Sequence, residues 1–303
     1  MDQIQDDLKG KTDALQGTRL SFIGCGAMAE AIIAGLLKKN LVKTERVVGS
    51  HPRKDRREEL QKKYWIRIFE SNKDALAFGH KQAGVNEGDK SSSIVILTVK
   101  PQRLGTILRE LKEAVQPDQL VISIVAGARI ETIANDLQHR SIVRAMPNTP
   151  AQIGQGMTVW TATSEVTEAQ QRQIQMIFGA LGRELQVEEE KMIDMATALS
   201  ATGPTYTFLV MEALIDAGVH MGFSRHVAEE LVLQTMLGSV LFARESQKHP
   251  AELRNMVTSP GGTSAEAIYQ MEKGTLRTVL SKAVWAAYQR AESLGRKAKH
   301  DSS

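Results

Sequence analysis

A chain of 303 residues, 42% of them hydrophobic, has room for one large or two medium cores. Its formal charge of +3 comes from basic and acidic residues interspersed along the chain, without the concentrated basic face of a nucleic-acid binder. The single cysteine, Cys25, excludes an intramolecular disulfide framework and fits a reducing cytoplasm, and no run of about 18 uncharged apolar residues offers a membrane span.

Residues 1–17 are polar and acidic, unlike a secretory signal, and lack the apolar periodicity that would offset the entropy of ordering them; a frayed N-terminus is expected. From residue 18, short β-branched runs at 19–24, 46–50, 66–69, 93–99, 119–125 and 141–146 alternate with helical patterns. That alternation predicts βαβ units on a mostly parallel sheet, an α/β domain over 18–188. The runs at 93–99 and 119–125 are apolar almost throughout, as in central strands covered on both faces. Two more runs, 156–161 and 183–187, bracket a helical pattern and are expected to extend the sheet. Residues 79–92 are polar and glycine-bearing and read as a surface loop.

From about residue 189 strand signals stop and amphipathic helical patterns take over, predicting a second, all-helical domain over 189–296. Pro204 suits the first turn of a helix running toward Gly222, and Ser224 suits the N-cap of a helix through Ser246. Thr275 and Gly295 are expected to open and close the last helix, leaving 297–303 as a frayed tail. Residues 231–242 are apolar around most of a helix circumference, more than a small isolated bundle buries, so the excess is expected to face another subunit.

The run at 19–24 leads directly into Gly24, Cys25, Gly26, Ala27, Met28 and Ala29 and then a helical pattern, the strand–turn–helix order of a dinucleotide-binding turn. Gly24 permits the turn, Gly26 lets the backbone approach a pyrophosphate, and Ala29 allows close helix packing. The helix start then offers free N–H groups to phosphates. At the end of the second run, where an NAD site usually carries Asp or Glu, stand Ser50, His51, Pro52, Arg53 and Lys54; the absence of a carboxylate favours a 2′-phosphate and hence NADPH, with NADH less preferred. Arg56 and Arg57 read as the solvated first turn of the next helix.

Val99, Lys100 and Pro101 follow a buried run, and so do Ala126 and Gly127 and, further on, Met146, Pro147 and Asn148; all lie at the carboxyl edge of the sheet, where open α/β folds bind ligands. Asn72 follows the third run and is either a cofactor contact or the cap of the next helix. In residues 258–264 two glycines precede a helical pattern, so N–H groups and the hydroxyls of Ser259, Thr263 and Ser264 converge on a small volume suited to a carboxylate. No histidine pairing suggests a metal site.

Taken with Gly203, Pro204, Thr205 and Tyr206, and with His249 and Pro250, these segments resemble the pyrroline-5-carboxylate reductase family in order and spacing from about residue 18 to 296. The resemblance implies a Rossmann-type NADP-binding domain followed by a helical dimerisation domain. It also implies NAD(P)H-dependent reduction of L-1-pyrroline-5-carboxylate to L-proline, and a homodimer often assembled further into a decamer. By the same resemblance, Gly24, Gly26, Ala27, Met28, Ser50, Arg53, Asn72, Val99, Lys100, Pro101, Ala126, Gly127 and Asn148 hold the cofactor. Ser259, Gly261, Gly262, Thr263 and Ser264 hold the substrate, with Ser264 catalytic. Two departures stand out: Ser200, Ala201 and Thr202 precede Gly203 where many members have Ser-Gly-Ser, and Ser264 replaces the commoner threonine. Two other readings stay open at this point, a related imine or hydroxy-acid reductase, for which Lys191 is the one lysine near the start of the helical domain, and a non-catalytic nucleotide-binding relative.

Overall fold

The computed structural model describes residue 15 and residues 17–81 and 92–300. Eight strands form one sheet: β1 (Arg19–Ile23), β2 (Val47–Ser50), β3 (Arg67–Phe69), β4 (Ser93–Leu97), β5 (Leu120–Ser123), β6 (Ile142–Met146), β7 (Gly156–Ala162) and β8 (Gly182–Gln186). Their order is β3-β2-β1-β4-β5-β6-β7-β8, with every neighbouring pair parallel except β6 and β7. Each expected run therefore becomes a strand, and the last two extend the sheet. β1 lies between β2 and β4, so the chain changes direction across it, and Ile23 pairs with both Ser50 and Leu97. The carboxyl ends of three strands thus emerge side by side.

Alternation in the strands supplies two cores. Phe22, Ile94 and Ile96 face one side with α1 (Ala27–Lys38), α2 (Lys54–Tyr64) and α6 (Glu168–Gly179). Ile23, Val95 and Leu97 face the other with α3 (Asn72–Lys81), α4 (Leu104–Leu111) and α5 (Ile130–Leu137). Of the expected frayed N-terminus only Leu15 and Gly17 are among the described residues, and Leu15 is buried in the first core. The expected loop at 79–92 is helical as far as Lys81, and its residues 82–91 lie outside the described residues.

After β8 come α7 (Lys191–Ala196) and a π turn (Thr197–Ala201), then α8 (Gly203–His220), α9 (Arg225–Ser246), α10 (Pro250–Met256), α11 (Thr263–Lys273) and α12 (Leu276–His300). The compact units divide elsewhere than at the expected 188/189: one comprises 1–202 with 287–303, the other Gly203–Ala286. The reason lies in a buried ion cluster. Arg144, on β6 and only 1% exposed, bonds Asp194 at 2.5 Å and Glu190 at 2.9 Å, and the same Glu190 oxygen accepts the N–H of Ile130 at the start of α5. Ile193 buries its side chain beside Met146 and Val159, so α7 belongs to the sheet.

The last helix also runs past its expected end. Gly295 is an interior helical residue, and a side chain there would meet Arg129 Nε at 2.9 Å, so its smallness serves packing rather than termination. The expected tail is helical to His300, and 301–303 lie outside the described residues.

In the second unit, Ser224 caps α9 by accepting the N–H of Val227, and Pro204 occupies the first turn of α8. Among its described residues only Gly218 and Ala228 are buried, while Phe208, Leu209, Leu237, Val240 and Phe242 are each at least half exposed. Such helices carry a core's worth of apolar surface without a core of their own.

Arg144→Ala leaves two carboxylates without their cation, and removing one side of a buried pair costs about 3–5 kcal/mol. The exposed pair of Arg172 with Glu168, 3.8 Å apart, is the control, since such pairs contribute about 0–1 kcal/mol. Urea denaturation at one fixed protein concentration should separate Arg144→Ala from Arg172→Ala by at least about 2 kcal/mol.

Candidate active site

The glycine turn is shaped by what it must avoid. Gly24 has φ +92°, and a Cβ there would lie 2.6 Å from Val99 Cγ1. Thr98 Oγ1 donates to the carbonyls of Ile23 and Gly24, at 3.0 and 2.6 Å, and tethers the turn to the end of β4. Gly26 precedes α1 with no side-chain cap, and a Cβ on it would meet nothing within 4 Å. The first-turn N–H groups, including those of Ala27 and Met28, therefore open onto space that a pyrophosphate can fill. Cys25 is buried, and burial pushes its thiol up to about 12, so it acts as a small apolar filler rather than a nucleophile.

At the end of β2 the structure separates residues that the sequence groups together. Ser50 is fully buried; its hydroxyl accepts the Gly24 N–H at 3.3 Å and donates to Asn72 Oδ1 at 2.6 Å. It braces the turn from the end of β2. Arg53, with its side chain 68% exposed and a loose 3.8 Å pairing to Asp55, stands open. Arg56 and Arg57 are not solvated: their side chains are 12% and 16% exposed. Arg56 pairs with Glu30 and Glu59 and reaches the Cys25 carbonyl, while Arg57 bonds the carbonyls of His51 and Pro52 and the carboxylate of Glu70.

Glu30, in the first turn of α1, receives Arg56, Lys63 at 2.7 Å and the Tyr64 hydroxyl at 2.8 Å. Burial alone would raise its pKa, but these three donors and the nearby guanidinium outweigh burial and lower it to about 2. A carboxylate beside the phosphate-facing helix start is thereby neutralised, and it ties α2 to α1.

Asn72 does not cap α3; Ser71 does, its hydroxyl accepting the Asp74 N–H at 3.2 Å. The serine followed by Lys73 and Asp74 was the available signal for this cap. Val99 is half-buried and Lys100 exposed, just before a 3₁₀ turn over Pro101–Arg103. Pro101, Ala126 and Gly127 line a cavity of about 350 Å³ together with Leu104, Arg109 and Leu294. Gly127 itself is buried against Leu294 and Gly295. Asn148 is committed to bracing: its Oδ1 accepts the Met157 N–H at 2.8 Å and its Nδ2 donates to the Ser200 carbonyl at 3.3 Å. The donor set as a whole fits a dinucleotide with a 2′-phosphate: open backbone N–H groups, an open arginine, and no carboxylate on the last residue of β2.

Within the second unit, Gly261 adopts φ +71° and Gly262 precedes α11 as an uncapped start. A Cβ on Gly262 would lie 2.5 Å from Ser259 Oγ, and the Gly262 N–H bonds the Ser259 carbonyl at 3.0 Å, so the turn is closed on itself. Thr263 and the half-buried Ser264 are the first two residues of α11, with N–H groups that lack helical acceptors. Lys191 is exposed and paired with Glu189 at 2.5 Å. Among the described residues there is no group of three or more His, Cys, Asp or Glu able to hold a metal, and no helix long and apolar enough to cross a membrane.

A family model described as pyrroline-5-carboxylate reductase dimerisation matches residues 190–294, and one described as NADP oxidoreductase, coenzyme F420-dependent, matches residues 19–127. A pyrroline-5-carboxylate reductase of Synechocystis is 39% identical over 92% of this chain and 99% of its own length. That of Pseudomonas aeruginosa is 37% identical over 91% and 96%. The solved structure of Plasmodium falciparum pyrroline carboxylate reductase with NADP bound superposes with a TM-score of 0.80 at 30% identity, covering 91% of this chain and 98% of that one.

The Glu30 cluster gives a pH signature. Because its folded pKa is depressed, its contribution to stability is fully present above the ordinary value near 4.5 and is lost as pH falls toward about 2. Glu30→Gln should cost about 1.5–3 kcal/mol at pH 7. In denaturation curves taken from pH 7 downward, the gap between wild type and variant should narrow below about pH 4.5.

Proposed function

The chain belongs to the pyrroline-5-carboxylate reductase family, and on that premise we propose which of its residues carry the reduction. It is an NAD(P)H-dependent oxidoreductase of proline biosynthesis that reduces L-1-pyrroline-5-carboxylate to L-proline, with an NADP-binding domain followed by a helical dimerisation domain.

In our reading the pyrophosphate lies over Gly24, Gly26, Ala27 and Met28, on the uncapped start of α1. Arg53 takes the 2′-phosphate and makes NADPH the preferred reductant over NADH, while Ser50 serves by holding the Gly24 peptide. Asn72 contacts the cofactor beside Ser50. Val99, Lys100 and Pro101 border the nicotinamide at the end of β4, with Ala126, Gly127 and Asn148 shaping the neighbouring wall. The bound cofactor supplies the hydride that reduces the C=N carbon.

The turn over 259–264 holds the substrate. Thr263 and Ser264 present N–H groups to the carboxylate, and the Ser264 hydroxyl hydrogen-bonds the ring nitrogen, fixing the imine as that nitrogen becomes an amine. The observation that carries this assignment is the uncapped helix start behind Gly261 and Gly262, where the first-turn N–H groups of Thr263 and Ser264 lack helical acceptors. The active unit is a homodimer formed through the exposed apolar helices of the second unit, and a decamer of such dimers is the assembly the family implies. A cytoplasmic location agrees with the single buried cysteine.

Arg53→Glu should weaken NADPH selectively, since it removes a phosphate partner and adds repulsion; steady-state KM values with NADPH and NADH read this, and an equal loss with both cofactors would point to folding instead. Ser264→Ala removes one hydrogen bond to a charged or charging group, about 1.5–3 kcal/mol, so kcat/KM for the substrate should fall roughly 10- to 150-fold with NADPH affinity nearly unchanged. Ser264→Thr should keep the activity.

A further inference from the structure

We propose that Glu110, on α4, is a positioning residue for the cofactor that sets the orientation of the Asn72 amide; this rests on the reading of Asn72 as a cofactor contact. The geometry is a chain of three hydrogen bonds across four segments. Asn72 Nδ2 donates to Glu110 Oε2 at 3.0 Å, Ser50 Oγ donates to Asn72 Oδ1 at 2.6 Å, and the Gly24 N–H donates to Ser50 Oγ at 3.3 Å.

The chain has a polarity, and Glu110 imposes it. An ionised carboxylate can only accept, so the end of the amide facing Glu110 must be the NH₂ group. The opposite end must then be the carbonyl oxygen, which can only accept, so the Ser50 hydroxyl must give its proton there. That leaves the Ser50 lone pairs facing the Gly24 N–H, which needs an acceptor inside the turn. Without the carboxylate, the Asn72 amide has no group telling its two ends apart except a hydroxyl, which is satisfied by either.

One hydrogen of Asn72 Nδ2 goes to Glu110, and the second remains for a ligand. Its place is beside the last residue of β2 and one bond away from the glycine turn, on the half of the cofactor that lies over those segments. Glu110 is half-buried and takes part in no salt bridge among the described residues, so the amide is the partner that gives its position a purpose.

The test is calorimetric titration of the full-length protein with NADPH and with NADH, together with steady-state KM values for both cofactors and for pyrroline-5-carboxylate. Glu110→Ala should raise the Kd of both cofactors by the same factor, about tenfold, as expected for one hydrogen bond to a charged group. The KM for the imine should stay put. Glu110→Gln fills the same space, but its amide can accept or donate and so no longer fixes the Asn72 amide; it should raise both Kd values by a factor similar to that of Glu110→Ala. In an Asn72→Ala background, Glu110→Ala should have no further effect.

Two results would overturn the proposal while leaving the cofactor role of Asn72 standing: Asn72→Ala weakens binding but Glu110→Ala does not, or the two losses simply add in the double variant. If Asn72→Ala leaves cofactor affinity untouched, the reading of Asn72 itself fails and this inference falls with it.

Discussion

The first unit depends on a single tight passage, the Gly24 peptide between the ends of β2 and β4. Ile23 is in register with Ser50 on one side and Leu97 on the other, so whatever follows β1 must turn within the width of one strand. The turn that results has a positive φ, leaves no room for a Cβ beside Val99, and is tied down by the hydroxyls of Thr98 and Ser50. Only with that passage formed does α1 start where its N–H groups are free, and only then does Glu30 stand where Arg56, Lys63 and Tyr64 can neutralise it. Cofactor binding is thus a property of strand order before it is a property of any one side chain.

The second constraint is electrostatic. Arg144 carries a charge into the sheet, and its two carboxylates come from Glu190, the residue before α7, and Asp194 within it, about fifty residues later in the chain. The cluster draws α7 onto β6 and holds it within the first unit. Beyond α7 the chemistry of the surface changes: Phe208, Leu237, Val240 and Phe242 are exposed on helices that bury almost nothing within their own unit. Such a segment needs a partner to acquire a core, which is consistent with the dimerisation model that matches residues 190–294.

The central strands β4 and β5 were legible because their burial on both faces leaves β-branched, uncharged runs; the helix cap at Ser224 was legible because the capping residue is local. The glycine turn and the 258–264 segment were legible as backbone devices. What the sequence concealed were partners distant along the chain. The bonds of Ser50 to Gly24 and Asn72 cross elements, and Arg56 looked solvated because Glu30 lies 26 positions away. Gly295 looked like a helix end because its neighbours, Arg129 and Gly127, belong to the loop after β5. The expected boundary at 188/189 marks where strand signals stop, while the side chains that bind α7 to the sheet, Arg144 and the core beside it, lie far off in the sequence.

The most direct measurement of the account is NADPH affinity in Gly24→Ala, by calorimetry, on protein shown by circular dichroism to keep its helical content. A Cβ at φ +92°, in contact with Val99, strains the turn by about 1–3 kcal/mol or forces it open. The account predicts a Kd raised about tenfold or more. A folded Gly24→Ala protein that binds NADPH as tightly as wild type would contradict it.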